Sequence, residues 1–192
     1  MKICVYGASS STIDNSYISA GEALGAEIAI RKHSVIYGGG TEGMMGAVAR
    51  GARSKNGEVI GIAPGFFKVD GSLYDDCTEF IHTDTMRERK KLLEDKSDAF
   101  LVTPGGIGTF DEFFEIVTLR QLNQHLKPIA IYNINGYFDH MILMMKNAIN
   151  QNFMTATNEE LYFVSADLGE VLHYIETHKP EELHLSKLKD VK

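Results

Sequence analysis

Asp98-Ala-Phe-Leu-Val-Thr-Pro-Gly-Gly-Ile-Gly-Thr-Phe-Asp-Glu112 is the stretch that decides the fold. Its first six residues have the composition of a buried strand, and residues 110–123 have the periodicity of an amphipathic helix. The glycines between them let the backbone approach a ligand closely, and the free N–H groups at the start of the helix favour an anion such as phosphate. The stretch predicts a strand, a phosphate-binding turn and a helix. A glycine-rich turn with an acidic cap and no ligand is the alternative.

The rest of the chain repeats this alternation of short apolar runs and longer helical patterns. Strands are predicted at residues 3–6, 34–37, 59–62, 79–82, 99–103, 129–132 and 162–164, and helices at residues 15–32, 41–54, 86–96, 110–123, 138–151 and 167–177. This order is typical of an α/β protein with a doubly wound parallel sheet flanked by helices, in which ligands bind at the carboxyl ends of the strands. Three glycine-rich turns, beginning at Gly7, Gly38 and Gly105, follow predicted strands. They therefore mark the ligand-binding edge.

Composition narrows the class of protein. The chain has 192 residues, 44% of them hydrophobic, which suits a single domain at residues 1–178 followed by a polar tail at residues 179–192. A formal net charge of -7 argues against a nucleic-acid polymer as partner. No apolar run approaches the roughly 20 residues needed to span a bilayer, so we expect a cytoplasmic protein. The two cysteines and seven histidines show no spacing typical of a metal site or a disulfide framework.

The turn Gly38-Gly-Gly-Thr-Glu-Gly43 contains the G-x-G-x-x-G pattern of dinucleotide-binding proteins. That pattern needs an acid at the end of the next strand to hold a ribose, and here the next strand runs into Ala63-Pro64. The turn also follows the second strand rather than the first. We therefore favour a close backbone approach, through Gly39, to a mononucleotide or to the neighbouring glycine turn.

A basic segment, Met86-Arg-Glu-Arg-Lys-Lys91, begins the helix that precedes the phosphate turn. Met86, Arg89 and Lys90 are predicted to share a face, which would let an arginine fork bind a phosphate or another oxygen-rich group. A solvated basic face paired with nearby acids is the alternative that spacing leaves open. In the next helix, Asp111 and Glu112 are about 100° apart and cannot both point at one atom.

Three segments together resemble the LOG ("lonely guy") family of cytokinin riboside 5'-monophosphate phosphoribohydrolases. They are Tyr37-Gly-Gly-Gly-Thr-Glu-Gly-Met-Met-Gly46, Met86-Arg-Glu-Arg-Lys90 and Pro104-Gly-Gly-Ile-Gly-Thr-Phe-Asp-Glu112. The resemblance implies a Rossmann-like homodimer that needs no cofactor and no metal. It also implies hydrolysis of the N-glycosidic bond of a nucleoside 5'-monophosphate, AMP or an N6-modified AMP, to the free base and ribose 5-phosphate.

The resemblance also implies which residues act. Arg89 and Glu112 would be the catalytic pair. The substrate-binding set would comprise Gly39, Met86, Lys90, Gly105, Gly106, Gly108, Thr109, Asp111 and Thr118. Asp111 stands where many members of the family carry a second glutamate.

Glycosidic cleavage builds positive charge on the anomeric carbon, which a carboxylate stabilises. We assign this role to Glu112, while Arg89 would bind substrate oxygens or help the base to leave. A carrier or sensor that holds a phosphorylated ligand without cleaving it is the alternative function. Such a binder has no need of a carboxylate beside the anomeric carbon, so the pair of Arg89 and Glu112 favours catalysis.

Overall fold

A computed structural model describes residues 1–67, 73–179 and 181–182. Within these ranges one parallel sheet contains seven strands: β1 (Lys2–Tyr6), β2 (Ser34–Tyr37), β3 (Val59–Pro64), β4 (Glu79–Thr83), β5 (Ala99–Val102), β6 (Ile129–Tyr132) and β7 (Phe163–Ser165). The helices are α1 (Asn15–Ile30), α2 (Gly43–Ser54), α3 (Met86–Lys96), α4 (Ile107–Gln121), α5 (Asp139–Asn150) and α6 (Leu168–Thr177). Short 3₁₀ turns lie at Gly65–Phe67, Ile134–Gly136 and Ala156–Leu161.

The strands lie in the order β4-β3-β2-β1-β5-β6-β7, and every neighbouring pair is parallel. The chain builds outward from β1 to β4, returns to the other side of β1 as β5, and builds outward again to β7. The direction of winding therefore reverses between β1 and β5, and such a reversal opens a crevice at the carboxyl ends of the two strands. The predicted Rossmann-like, doubly wound parallel sheet is confirmed.

Helices cover both faces of the sheet, and alternate strand residues supply two cores. On one face, Ile3 and Val5 of β1 pack with α1, α2 and α6. On the other, Cys4 and Tyr6 pack with α3, α4 and α5. Burial on both faces explains why the five inner strands, β1, β2, β3, β5 and β6, are almost continuously apolar.

Some helix boundaries differ from those predicted. The sequence places the start of α4 at Phe110, whereas the helix begins at Ile107, with Gly106 as its N-cap. The periodicity of the apolar residues cannot detect this first turn, because it contains a glycine, a threonine and an outward-facing Ile107. The consequence is functional, since the helix starts inside the glycine turn rather than after it.

The predicted tail, residues 179–192, lies mostly outside the described residues, which include only Lys179, Glu181 and Glu182 of it. The domain boundary at residue 178 therefore stays a prediction. Among the described helices, none combines the length and the apolar character that a membrane crossing requires.

Helices α1 and α2 touch backbone to backbone at glycines. A Cβ atom placed on Gly25 would lie 2.8 Å from the Ala52 amide nitrogen, and closer still to the carbonyl oxygen of Val48. Gly51 makes the reciprocal approach to the Glu22 backbone. This contact sets the position of the N-terminus of α2, which borders the crevice.

We expect Gly25→Ala to lower the free energy of unfolding by about 1–3 kcal/mol, because the methyl group would push the two helices apart. The measurement is urea denaturation followed by circular dichroism. Gly65→Ala in the 3₁₀ turn after β3 is the control, because a Cβ there would lie 3.8 Å from the nearest protein atom, and we expect it to change stability by less than ~1 kcal/mol. Equal stability of the Gly25→Ala variant and the wild type would contradict the close contact.

Candidate active site

A cavity of about 610 Å³ lies at the reversal point of the sheet. Turns after three strands form its walls: residues 7–9 follow β1, residues 38 and 40–42 follow β2, and residues 106–109 follow β5. Helix α3 adds Met86 and Arg89, and α4 adds Glu112. The volume is in the range typical of small-molecule sites.

The glycine turn after β5 presents bare backbone to this cavity. A Cβ atom on Gly106 or on Gly108 would meet no protein atom within 4 Å, so both residues face open space. The first amides of α4 have no acceptor within the helix, and the cap residue, Gly106, has no side chain that could satisfy them. These amides and the helix dipole form a favourable binding site for an anion.

Gly105 and Thr109 make the turn compact. A Cβ on Gly105 would lie 2.9 Å from the Ala8 amide nitrogen and 2.7 Å from the Cβ of Thr109. Thr109 is itself buried and lines the cavity. Gly105 thus serves close packing of the β1 and β5 turns, whereas Gly106 and Gly108 serve access to the cavity.

Arg89 and Glu112 form a buried ion pair in the cavity wall. Arg89 Nη1 lies 2.7 Å from Glu112 Oε1, and each side chain is only 9% exposed. Arg89 Nε also donates a hydrogen bond of 3.2 Å to the carbonyl oxygen of Ile62. A Cβ on Gly38 would overlap the guanidinium, so the absence of a side chain at Gly38 makes room for Arg89.

The environment of Glu112 favours proton exchange. Burial raises the pKa of the Glu112 carboxyl, and the positive charge of Arg89 offsets only part of this rise. Below the pair, burial and the nearby Glu112 raise the pKa of the Cys4 thiol to about 12. A thiol with such a pKa is a poor nucleophile, so Glu112 rather than Cys4 is suited to acid–base chemistry.

Three residues of the predicted substrate-binding set lie apart from the cavity. Lys90 Nζ is 3.1 Å from Asp111 Oδ2 and 2.8 Å from Glu115 Oε2, on a shallow surface that also includes Thr118. The Thr118 hydroxyl donates to the carbonyl oxygen of Phe114. The physical reason is helical geometry, because adjacent residues point about 100° apart. Arg89 therefore faces the cavity while Lys90 faces α4. Likewise, Glu112 faces the cavity while Asp111 faces Lys90.

The basic segment at the start of α3 has both a side chain in the cavity and a solvated basic face, the two alternatives that its sequence left open. Arg89 is buried and lines the cavity with Met86, as a functional arginine would. Lys91 instead lies on the solvated face, with its ammonium 2.8 Å from the Asp95 carboxylate.

Gly39 does not line the cavity, unlike its neighbours Gly38 and Gly40. Its φ of 80° is in the left-handed region, and a Cβ there would lie 2.6 Å from the Phe80 ring. Gly39 therefore bends the turn so that its neighbours can face the cavity.

Several residues of the cavity lining were not predicted as site residues. Ser9 and Glu42 line the cavity from the turns after β1 and β2, and Met45 lines it from α2. Phe67 and Leu73 approach from the segment between β3 and β4, which is distant in sequence from every motif. The position of these turns at the carboxyl ends of strands was the sequence signal for Ser9, Glu42 and Met45. No sequence signal pointed to Phe67 and Leu73.

The described residues contain no group of three or more histidine, cysteine, aspartate or glutamate side chains that could hold a metal ion. The absence of a metal and of a cofactor from the reaction stays a prediction.

A doubly wound parallel sheet with an anion-accepting glycine turn at its reversal point defines a Rossmann-like protein. Residues 45–175 match the family described as "Possible lysine decarboxylase". The chain belongs to this family, which is the LOG family that its motifs resemble.

Curated relatives of the chain carry a consistent name. The chain is 34% identical to the rice (Oryza sativa subsp. japonica) "Probable cytokinin riboside 5'-monophosphate phosphoribohydrolase LOGL9", over 93% of this chain and 79% of that protein. It is 31% identical to the Arabidopsis thaliana "Probable cytokinin riboside 5'-monophosphate phosphoribohydrolase LOG6", over 93% of this chain and 89% of that protein.

Solved structures show the same fold. The molybdenum cofactor binding protein from Rippkaea orientalis superposes with a TM-score of 0.69 at 22% identity, covering 92% of this chain and 95% of that one. The molybdenum cofactor carrier protein from Chlamydomonas reinhardtii gives a TM-score of 0.68 at 20% identity, covering 91% and 95%. At these identities the similarity establishes the fold alone.

We expect Gly106→Val to abolish the binding of ribose 5-phosphate, because its side chain would occupy the space in front of the α4 amides. Gly106→Ala should have an intermediate affinity. Isothermal titration calorimetry measures both. The melting temperature should change little, since a Cβ at this position meets no protein atom. Tight binding of ribose 5-phosphate by a folded Val variant would exclude the glycine turn as the anion-binding site.

We also expect Glu112 to lose its charge at a higher pH than an ordinary glutamate. Its raised pKa means that the carboxylate is fully formed only above the raised value, and is protonated as the pH falls through it. The measurement is an NMR titration of ¹³C-labelled glutamate side chains, with Glu112→Gln assigning the signal. Arg89→Met should move the midpoint further upward, because it removes the opposing positive charge. A midpoint at or below the usual range would contradict this electrostatic description.

Proposed function

We propose that this protein hydrolyses the N-glycosidic bond of a nucleoside 5'-monophosphate, AMP or an N6-modified AMP, to give the free base and ribose 5-phosphate. One observation carries the proposal: the buried pair of Arg89 and Glu112 lines the same cavity as the open glycine turn. A site for a phosphate and a carboxylate for the adjoining sugar are thereby within one ligand-sized space.

In this proposal the 5'-phosphate binds the amides at the start of α4, in front of Gly106 and Gly108. Glu112 lies on the same helix, between one and two turns further along. Fixing the phosphate at the helix start therefore brings the attached ribose towards Glu112. Such fixing of a reacting group lowers the entropic part of the barrier.

Cleavage then breaks the bond between the anomeric carbon and the base, and the bonding electrons leave with the base. Glu112 stabilises the positive charge that develops on the ribose and accepts a proton from the attacking water, whose oxygen bonds to the anomeric carbon. That proton balances the one that the departing base takes up. Arg89 holds the Glu112 carboxylate in place through the 2.7 Å contact.

The named relatives support the substrate class. The rice and Arabidopsis proteins are named for action on cytokinin riboside 5'-monophosphates, and the chain aligns with them over 93% of its length. The family's description as a possible lysine decarboxylase finds no support in the cavity, because no lysine among the described residues lines it. Assembly as a homodimer and location in the cytoplasm stay predictions, and light scattering of the purified protein tests the first.

The alternative function, a carrier or sensor of a phosphorylated ligand, gains little from the structural neighbours. The molybdenum cofactor proteins are 20–22% identical to this chain, which establishes a shared fold and not a shared ligand. The relatives with higher identity carry the name of an enzyme. Hydrolysis is therefore the function that we propose.

The test is to incubate the purified protein with AMP and N6-isopentenyl-AMP, alongside the matching nucleosides, and to follow the free base by chromatography. We expect base from the monophosphates and not from the nucleosides, because only the former carry the group that the glycine turn binds. Nucleotide binding without release of base from any substrate would favour the carrier.

Glu112→Gln should still bind nucleotide but lose hydrolysis by at least about 100-fold, because it removes the charge and keeps the shape. Glu115→Gln is the matched control. Glu115 lies on the same helix but pairs with Lys90 outside the cavity, so this variant should keep its activity. Unchanged turnover in Glu112→Gln would refute the role of the carboxylate.

A further inference from the structure

The turn between β6 and α5 touches the glycine turn from outside the cavity. The Tyr137 hydroxyl in this turn donates a 2.6 Å hydrogen bond to the carbonyl oxygen of Gly105. Tyr137 is not part of the cavity lining, whereas the next residue of the glycine turn, Gly106, is. The hydroxyl therefore contacts the rear of the segment whose front faces the ligand space.

Because of peptide geometry, the hydrogen bond to the Gly105 carbonyl also affects the direction of the Gly106 N–H. The carbonyl of Gly105 and the N–H of Gly106 belong to the same peptide group, and in a trans peptide they point in opposite directions. The described residues contain no cis peptide bond. A hydrogen bond that holds the Gly105 oxygen on the Tyr137 side therefore directs the Gly106 N–H to the other side of the turn.

The Tyr137 ring is itself held in place. It packs edge-on against Tyr17 of α1, with 6.2 Å between ring centroids, and against Phe138 at 5.0 Å. Two residues earlier, the Asn135 side-chain amide donates a 3.1 Å hydrogen bond to the Ser16 hydroxyl. Tyr137 is 39% exposed, and its contact with Tyr17 joins this turn to α1 in the absence of ligand.

Glycine mobility explains why such support matters. A Gly-Gly peptide such as that between Gly105 and Gly106 can rotate more freely than any other, because neither residue restricts φ and ψ through a side chain. Without a partner for the Gly105 oxygen, the Gly106 N–H would sample directions that cannot reach a phosphate. Fixing donors in advance lowers the cost of binding an anion.

We propose that Tyr137 is a positioning residue that orients the Gly105–Gly106 peptide for recognition of the 5'-phosphate. The inference rests on the proposed function for the identity of the ligand, a phosphorylated ribose. It assigns to the turn after β6 a role in binding the phosphate and none in binding the base. Its signature is a loss of affinity that depends on the presence of the phosphate.

The test compares Tyr137→Phe with Tyr17→Phe. The first variant removes the hydroxyl and keeps the ring contacts. The second removes the hydroxyl of the neighbouring ring, for which the described residues show no hydrogen-bond partner. Calorimetry then measures the affinity of each variant for ribose 5-phosphate and for adenosine, and steady-state kinetics with AMP separates KM from kcat.

We expect Tyr137→Phe to weaken ribose 5-phosphate binding about fivefold to tenfold, as loss of one neutral hydrogen bond does. KM for AMP should rise in proportion, while kcat and adenosine affinity stay close to those of the wild type. The melting temperature should fall by no more than about 2–4 °C, because the same hydrogen bond also contributes to the folded state. Tyr17→Phe should match the wild type throughout. Unchanged ribose 5-phosphate affinity in Tyr137→Phe, or an equal loss of adenosine affinity, would overturn the proposal.

Calorimetry separates this proposal from the proposed hydrolysis. If the wild type binds ribose 5-phosphate and releases no base, the hydrolase proposal fails, and a selective loss of ribose 5-phosphate affinity in Tyr137→Phe still supports the positioning role. If the wild type releases base and Tyr137→Phe keeps full affinity, the positioning role fails alone. A wild type that binds no ribose 5-phosphate and releases no base refutes both.

Discussion

Arg89 and Glu112 lie buried 2.7 Å apart where the winding of the sheet reverses, and the rest of the site is arranged around them. Taking two charges out of water costs several kcal/mol for each ion, and removal of one partner would leave the other uncompensated. The structure compensates through the pair itself and through the carbonyl of Ile62. Gly38 leaves room for the ion pair because it has no side chain, and any side chain there would displace the guanidinium of Arg89.

The sheet supplies these parts from distant segments. Arg89 comes from α3, which follows the edge strand β4, and Glu112 comes from α4, which follows the inner strand β5. Both helices cover the same face of the sheet, so their side chains meet beneath the crevice. The start of α4 provides backbone amides without side chains at Gly106 and Gly108. Helix α4 thus provides an anion-binding site at its first turn and the Glu112 carboxylate in its second.

Much of this follows from the sequence, and the exceptions have a physical cause. Short runs rich in β-branched and aromatic residues give all seven strands. The five inner strands are the clearest, because a strand buried on both faces tolerates few polar residues. Motif resemblance assigns Arg89 and Glu112 to one site, and both line the same cavity. It groups Lys90, Asp111 and Thr118 with them, however, and these lie on a separate surface. A motif records neighbours along the chain, whereas a helix separates adjacent side chains by about 100°. Phe67 and Leu73 reach the cavity only through tertiary folding, which no local pattern encodes.

The most direct measurement is a crystal structure of the Glu112→Gln variant with AMP bound, because this variant should retain the nucleotide intact. The phosphate oxygens should lie within hydrogen-bonding distance of the amides at the start of α4. The anomeric carbon should lie next to the side chain of residue 112. A phosphate bound elsewhere, for example at Lys90, or a ribose turned away from residue 112, would contradict the central claim that one helix both holds the phosphate and supplies the carboxylate for cleavage of the glycosidic bond.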